Sequence, residues 1–180
     1  MDGGITVKVV IDPGHGGKDP GAGEYPVYEK YIVLGAAWIL YNYLRSLGIE
    51  VSLTRKSDDY VTLSRRVSIA NIGKADLFIS LHCNSAENPH AKGYEVLVYN
   101  RHSRAGEIAE KILLQFSDLP LLNRGIKERK DLYVLKHTRM PAILIELGFI
   151  SNQDDYIFLT NPEDIGWQMK LLGDAIESLR

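Results

Sequence analysis

Short β-branched runs alternate with longer amphipathic stretches along this chain, and that alternation restricts the fold more than any other feature. Val7-Lys8-Val9-Val10-Ile11 is an almost continuous apolar run that stops at Asp12-Pro13-Gly14, the pattern of a buried strand. A glycine-rich loop to about Pro26 follows. A helix is expected over Tyr28–Leu47, with Val33, Ala37, Leu40, Leu44 and Leu47 on one face and Gly48 as its stop. Ile49–Thr54 reads as the next strand. Thr62 is placed to cap a helix reaching Ile72, with Leu63, Val67 and Ala70 inward. Further strands are expected at Asp76–Leu81, Tyr94–Tyr99, Leu132–Leu135 and Ala142–Ile145, and a helix at Ser103–Phe116. Asn161-Pro162 opens the last helix, whose inner face is Ile165, Met169, Leu172, Ile176 and Leu179. Strands separated by helices define a single α/β domain, residues 5–180, with a mostly parallel, mixed sheet and helices on both faces. Little chain separates Leu81 from Tyr94, so Tyr94–Tyr99 is expected to run antiparallel.

Composition removes several classes of function. The 180 residues carry 21 Lys+Arg against 23 Asp+Glu, a net charge of -2. Proteins that grip nucleic acid or membrane surfaces usually carry a strong basic excess. Cys83 is the lone cysteine, which excludes an internal disulfide framework and a zinc site built from several thiolates. No apolar run approaches the ~20 residues that cross a bilayer. Met1-Asp2-Gly3-Gly4 lacks the basic start of a signal peptide.

Chemistry concentrates at one predicted rim. His15 follows the first strand, His82 follows Leu77–Leu81, and Glu146 follows Ala142–Ile145. Open α/β sheets carry their sites at the carboxyl ends of strands. Glu29 precedes Val33 by one helical turn, so it continues the inward stripe. A first-turn acid commonly serves its own helix terminus, worth ~0.3–1 kcal/mol; beside two strand-end histidines it is also a candidate ligand. Two imidazoles and one carboxylate suit zinc and leave a coordination position open. A further carboxylate, Glu146, is then available to carry protons. Rim placement alone leaves both readings open.

The other polar residues have plainer readings. His90, His102 and His137 lie in polar stretches and read as surface histidines. Cys83 points away from His82 in an extended chain and reads as a buried apolar side chain. Gly14-His15-Gly16-Gly17 lacks phosphate-loop spacing and reads as room for close approach. Asp12 either orients His15 or serves as a turn residue. Asn84 shares the His82 face and is a candidate donor to a substrate carbonyl. Arg65 and Arg66 sit on the Leu63–Ala70 helix, where ion pairs are the default. Arg124 and Lys127 are candidates for holding substrate carboxylates.

Several segments together carry a family resemblance. Val10-Ile11-Asp12-Pro13-Gly14-His15-Gly16-Gly17-Lys18-Asp19-Pro20-Gly21-Ala22 resembles the opening motif of zinc-dependent N-acetylmuramoyl-L-alanine amidases of the Amidase_3 type, which are bacterial cell-wall hydrolases. Glu29-Lys30, Leu53-Thr54-Arg55, Leu63-Ser64-Arg65-Arg66, Ser80-Leu81-His82-Cys83-Asn84-Ser85 and Gly93-Tyr94-Glu95-Val96 resemble later motifs in the same order. Arg124-Gly125-Ile126-Lys127 and the run Met140-Pro141-Ala142-Ile143-Leu144-Ile145-Glu146-Leu147-Gly148-Phe149 complete the series. The resemblance implies one zinc ion on His15, Glu29 and His82, with Glu146 catalytic and Glu24 as the runner-up ligand. It implies hydrolysis of the amide between the lactyl group of N-acetylmuramic acid and L-alanine of the peptidoglycan stem peptide. Substrate contacts are expected from Asn84, Arg65 and Lys127. The rival readings are a non-catalytic peptidoglycan-binding domain and a zinc peptidase acting within the stem peptide. Peptidoglycan is the expected partner, with no nucleic acid and no membrane, and the chain is expected to be a monomer. It would work outside the cell or in the wall, after truncation, processing or release by lysis. A wall-binding module is expected on a part of the parent chain outside this sequence.

Overall fold

The computed structural model describes residues 7–24 and 27–180. The expected domain start at Ile5 lies outside them. The chain runs through β1 (Lys8–Pro13), β2 (Gly23–Glu24), β3 (Val27–Tyr28), α1 (Glu29–Ser46), β4 (Glu50–Leu53), α2 (Leu63–Ile72), β5 (Leu77–Asn84), β6 (Tyr94–Val98), α3 (Arg104–Gln115), β7 (Asn123–Glu128), α4 (Tyr133–His137), β8 (Ala142–Phe149), α5 (Gln153–Thr160) and α6 (Pro162–Glu177). Phe116–Asp118 adds one 3₁₀ turn after α3.

The main sheet has the order β4-β1-β5-β8-β6-β7. β4, β1, β5 and β8 are parallel. β6 runs antiparallel to β8 and parallel to β7, as the short interval before Tyr94 requires. Alternation assigns the two faces. Val9, Ile11, Leu77, Ile79, Leu81, Cys83, Val96, Ile143 and Ile145 belong to the larger core with α1, α3 and α6. Val10, Phe78, Leu97 and Leu144 belong to a smaller core with Val67, Ala70, Val134 and Leu135 of α2 and α4. That second layer is short. It covers the amino-terminal part of its face and leaves Asp12, Ser80, His82, Glu146 and Glu95 at the carboxyl end.

Thr62 caps α2 as expected, accepting from Arg65 N. Val67 and Ala70 are buried, but Leu63 is exposed, because the first residue of α2 stands at the mouth of a cavity instead of in the core. Leu132–Leu135 is not a strand. Tyr133–His137 forms α4, with Val134 and Leu135 buried against α2 and β8; four apolar residues do not distinguish a strand from a buried helical turn. β7, the hairpin of β2 and β3, and α5 are additions that the residue pattern does not announce. β7 reads Asn-Arg-Gly-Ile-Lys-Glu, a polar edge strand with little β-branched content.

Beneath the open end of the face lies a buried charge cluster. Asp12 and Arg66 are 1% and 3% exposed, and Asp12 Oδ1 accepts from Arg66 Nη1 at 2.7 Å and from Thr54 Oγ1 at 2.5 Å. Its Oδ2 accepts from Ser80 Oγ at 2.8 Å. Removing one member of a buried pair strands the other charge. Asp12→Ala is therefore expected to cost about 3–5 kcal/mol, measured by urea unfolding, whereas Lys136→Ala, at an exposed position of α4, should stay within about 0.5 kcal/mol.

Candidate metal centre and catalytic carboxylate

His15 lies in the loop after β1 with φ 57°, a left-handed conformation that costs a non-glycine residue ~1–2 kcal/mol. The loop is held from several sides. Arg66 donates to Pro13 O and His15 O, at 2.6 and 2.5 Å. Arg55 donates to Pro13 O, Gly14 O and Lys30 O. Lys30 Nζ donates to Gly17 O and Asp58 Oδ2, and Asp58 Oδ1 accepts from Gly17 N. The sequence leaves Asp12 as a possible partner of the His15 ring, but its oxygens are used by Thr54, Arg66 and Ser80. Asp19 takes that place, with Oδ1 2.9 Å from His15 Nδ1. The i,i+4 spacing is the available signal for it. The tight turn between them, in which Gly16 and Asp19 exchange backbone hydrogen bonds, is not legible in the residues.

Glu29 opens α1 on the opposite layer and reaches over the carboxyl ends of the central strands. It is 3% exposed. Its Oε1 lies 3.1 Å from His15 Nε2 and 3.0 Å from His82 Nδ1, and accepts from Cys83 N at 2.9 Å. Its Oε2 accepts from Ala22 N. Burial pushes the Glu29 carboxyl up, but the two histidines outweigh it and hold it well below the usual carboxylate range. Burial also pulls His15 down, while Glu29 and Asp19 together raise it above its ordinary value. One ligand atom each from His15, Glu29 and His82 fall within 4.8 Å of one another. Two imidazole nitrogens and a carboxylate oxygen at that spacing can hold a divalent transition metal. Glycines make the room. A Cβ on Gly14 would overlap the His82 imidazole, and one on Gly21 would stand 2.8 Å from the His15 ring.

Glu146 lies within β8 instead of beyond it, directly across from His82 of β5 on one side and Glu95 of β6 on the other. Its Oε2 is buried with no hydrogen-bond partner among the described residues. Burial pushes its carboxyl up to about 7; Glu29 and Glu95 add to the shift, and His82 and His15 oppose it. A cavity of about 170 Å³ extends from His15 and His82 along the second face, lined by Tyr60, Val61, Leu63, Leu132, Tyr133 and Val134 among others.

The remaining sequence candidates disperse. Asn84 donates to Glu95 Oε1 at 3.0 Å. Arg65 is exposed on α2 and does not line the cavity; Lys127 is exposed on β7. His90 and His102 are exposed, and His137 stacks on Tyr133 at the surface. Cys83 is buried on the α1 face. The side chain of Glu24 lies outside the described residues.

The catalytic domain of CwlV, an N-acetylmuramoyl-L-alanine amidase from Bacillus (Paenibacillus) polymyxa var. colistinus, superposes with a TM-score of 0.91 at 31% identity, covering 97% of this chain and 98% of that one. Fold and site thus define an amidase catalytic domain. The chain belongs to the N-acetylmuramoyl-L-alanine amidase family, whose profile matches residues 9–178. It is 39% identical to the endolysin of Bacillus phage SPP1 over 162 residues, which are 86% of this chain and 59% of the endolysin. It is 37% identical over 150 residues to the probable cell wall amidase LytH of Staphylococcus aureus, 82% of this chain and 49% of LytH. The chain therefore spans about half of the longer relatives.

Two measurements test the centre as built. Gly14→Ala should displace the His82 ring and weaken metal uptake by about tenfold or more in a chelator competition, with far-UV circular dichroism unchanged. Metal uptake should also release protons, because a metal ligand must be deprotonated and His15 keeps its proton to a higher pH than an ordinary histidine. Apparent affinity should therefore rise with pH until His15 is neutral, with proton release read by calorimetry in buffers of different ionisation enthalpy.

Proposed function

We propose that the chain uses one zinc ion, held by His15, Glu29 and His82, to hydrolyse the amide between the lactyl group of N-acetylmuramic acid and the L-alanine of the peptidoglycan stem peptide. The observation that carries this reading is the convergence of three donor atoms within 4.8 Å beside a buried, unpartnered carboxylate oxygen. The donor set fits zinc, which takes imidazole and carboxylate ligands and keeps a position open in catalytic sites. When bound, the ion supplies Lewis acidity towards a carbonyl or water oxygen.

The chain's own residues do the rest. Glu146 Oε2 has no donor among the described residues, so it is free to accept a proton from the attacking water. A carboxyl pushed up to about 7 is a stronger base than an exposed glutamate and suits proton transfer near neutral pH. The same oxygen then returns the proton to the departing L-alanine nitrogen. Asp19 fixes the His15 ring through Nδ1 and leaves Nε2 facing Glu29. The α2–α4 cavity takes substrate beside the reacting bond.

The names and coverage of the relatives support a wall enzyme acting on peptidoglycan. No helix among the described residues is long and apolar enough to cross a membrane.

Purified peptidoglycan digested with the protein, followed by mass spectrometry, tests the bond. Stem peptides with a free L-alanine amino terminus, lost on chelation and restored by zinc, are expected. Internally cut stem peptides would make the enzyme a peptidase, and zinc uptake without cleavage would make the domain a binding module. Glu146→Gln should retain stoichiometric zinc and lose at least about 100-fold in turnover. His82→Ala should lose both.

A further inference from the structure

The geometry points to a fixed polarity of substrate binding: the peptide half lies over β6 and β7, where Arg124 and Lys127 bind the carboxylate of the second stem residue, and the sugar half lies towards the α2–α4 cavity. The inference rests on the amidase reading and adds to it the specificity determinant.

The two sides of Glu146 differ in charge. On the cavity side the walls are mainly aromatic and aliphatic, Tyr60, Val61, Leu63, Leu132 and Tyr133. The cations there are Arg66, which is buried against Asp12, and Lys18, 4.6 Å from the Tyr60 ring centroid. On the other side, Glu95 lies directly across from Glu146 and Leu97 directly across from Lys127. Cross-strand partners share a face, so Lys127 stands on the catalytic face. It is exposed and makes no ion pair among the described residues. A register shift between Tyr94 and Val96 places Arg124 and Gly125 opposite Glu95, with Gly125 at φ 77°. Such bulges redirect side chains. Here the Arg124 guanidinium is turned back over the Phe149 ring, 4.9 Å from its centroid, and Nε donates to Glu95 Oε2 at 3.0 Å. Nη1 donates to Lys92 O at 3.4 Å, and Nη2 has no acceptor among the described residues. The next cation on that face, Arg129, is held by both oxygens of Asp131.

The substrate has a matching asymmetry. The lactyl carboxyl is consumed in the scissile amide, so the N-acetylated sugar half is neutral, while carboxylates occur only in the peptide half. Spacing selects which one. Strands lie about 4.8 Å apart, so β7 is roughly 10 Å from β8, and Arg124 leans back from it. An extended peptide advances about 3.3–3.6 Å per residue, which brings the second residue beyond the scissile bond within reach. A guanidinium with one free Nη group and an unpaired ammonium on the same face are charge-assisted donors for a carboxylate.

Disaccharide-tripeptides that carry either D-glutamate or its α-amide, D-isoglutamine, at the second position decide the matter with the zinc-loaded enzyme. The acid substrate is expected to have a kcat/KM about tenfold higher, through KM, with the preference shrinking in high salt. Lys127→Ala should lower kcat/KM for the acid substrate severalfold and leave the amide substrate nearly unchanged, while Arg124→Gln, whose lost charge also reaches Glu95 beside Glu146, should lower both but the acid substrate more, so each variant moves the ratio towards one. The side-chain amide introduced by Arg124→Gln retains a donor for Glu95, so the carboxylate beside Glu146 is not stranded. Equal cleavage of both substrates by the unmodified enzyme overturns the inference and leaves the amidase reading standing. Equal losses on both substrates in both variants also overturn it, since that marks a structural role. If zinc-loaded enzyme cleaves neither substrate nor peptidoglycan, the amidase reading falls and the inference with it.

Discussion

Two buried guanidinium groups hold the loop on which the site is built. Arg55 and Arg66 come from different parts of the chain and converge on the carbonyls of Pro13, Gly14 and His15. Loop carbonyls at the end of a strand have no ladder partner, and buried cations need acceptors. Each problem answers the other. Asp12 supplies the negative charge, and Thr54 and Ser80 fill its remaining acceptor sites. Because these donors are rigid and dry, the loop keeps His15 in a left-handed conformation that a free chain would leave.

Above that base, the sheet carries a row of groups that a packed interior would reject. His82, Glu146 and Glu95 are register neighbours on β5, β8 and β6. Two carboxylates directly across from each other repel. Arg124 and Asn84 stabilise Glu95, which leaves the unfavourable environment to fall on Glu146. The short second layer is what allows this, since α2 and α4 pack against Val10, Phe78, Leu97 and Leu144, and Leu97 and Leu144 stand two residues short of Glu95 and Glu146 along their strands.

Much of this is legible in the residues, for physical reasons. The strands that are buried on both faces, such as β1 and β5, are apolar runs that cannot be read otherwise, and α1 and α6 carry clear helical stripes. His15, Glu29, His82 and Glu146 can be gathered because a parallel sheet brings strand ends together whatever their separation in sequence. What escapes is decided by tertiary context. β7 is an edge strand whose polar residues gain a ladder only from β6. α4 is too short for a period to show. Asp19 and Asp12 each stand near His15 in sequence, and only the turn geometry assigns the ring to one and the buried arginine to the other. Arg66, next to the exposed Arg65, carries no sign in its identity that it is the buried one of the pair.

Glu29 and His15 differ in what they would leave behind if the reaction were abandoned. Glu29 opens a helix whose preceding residue provides no side-chain cap, and it accepts from the backbone of Ala22 and Cys83. Those backbone donors give an acceptor at this position a structural duty, although it is His15 and His82 that offset the burial of its charge. His15 has no comparable second duty and occupies a backbone conformation that glycine adopts without strain. Under the proposed zinc role, loss of catalysis would free the left-handed position of His15 for glycine, while Ala22 N and Cys83 N would still need the acceptor that Glu29 supplies. On that reading a carboxylate at position 29 would say less about activity than a histidine kept in the left-handed loop.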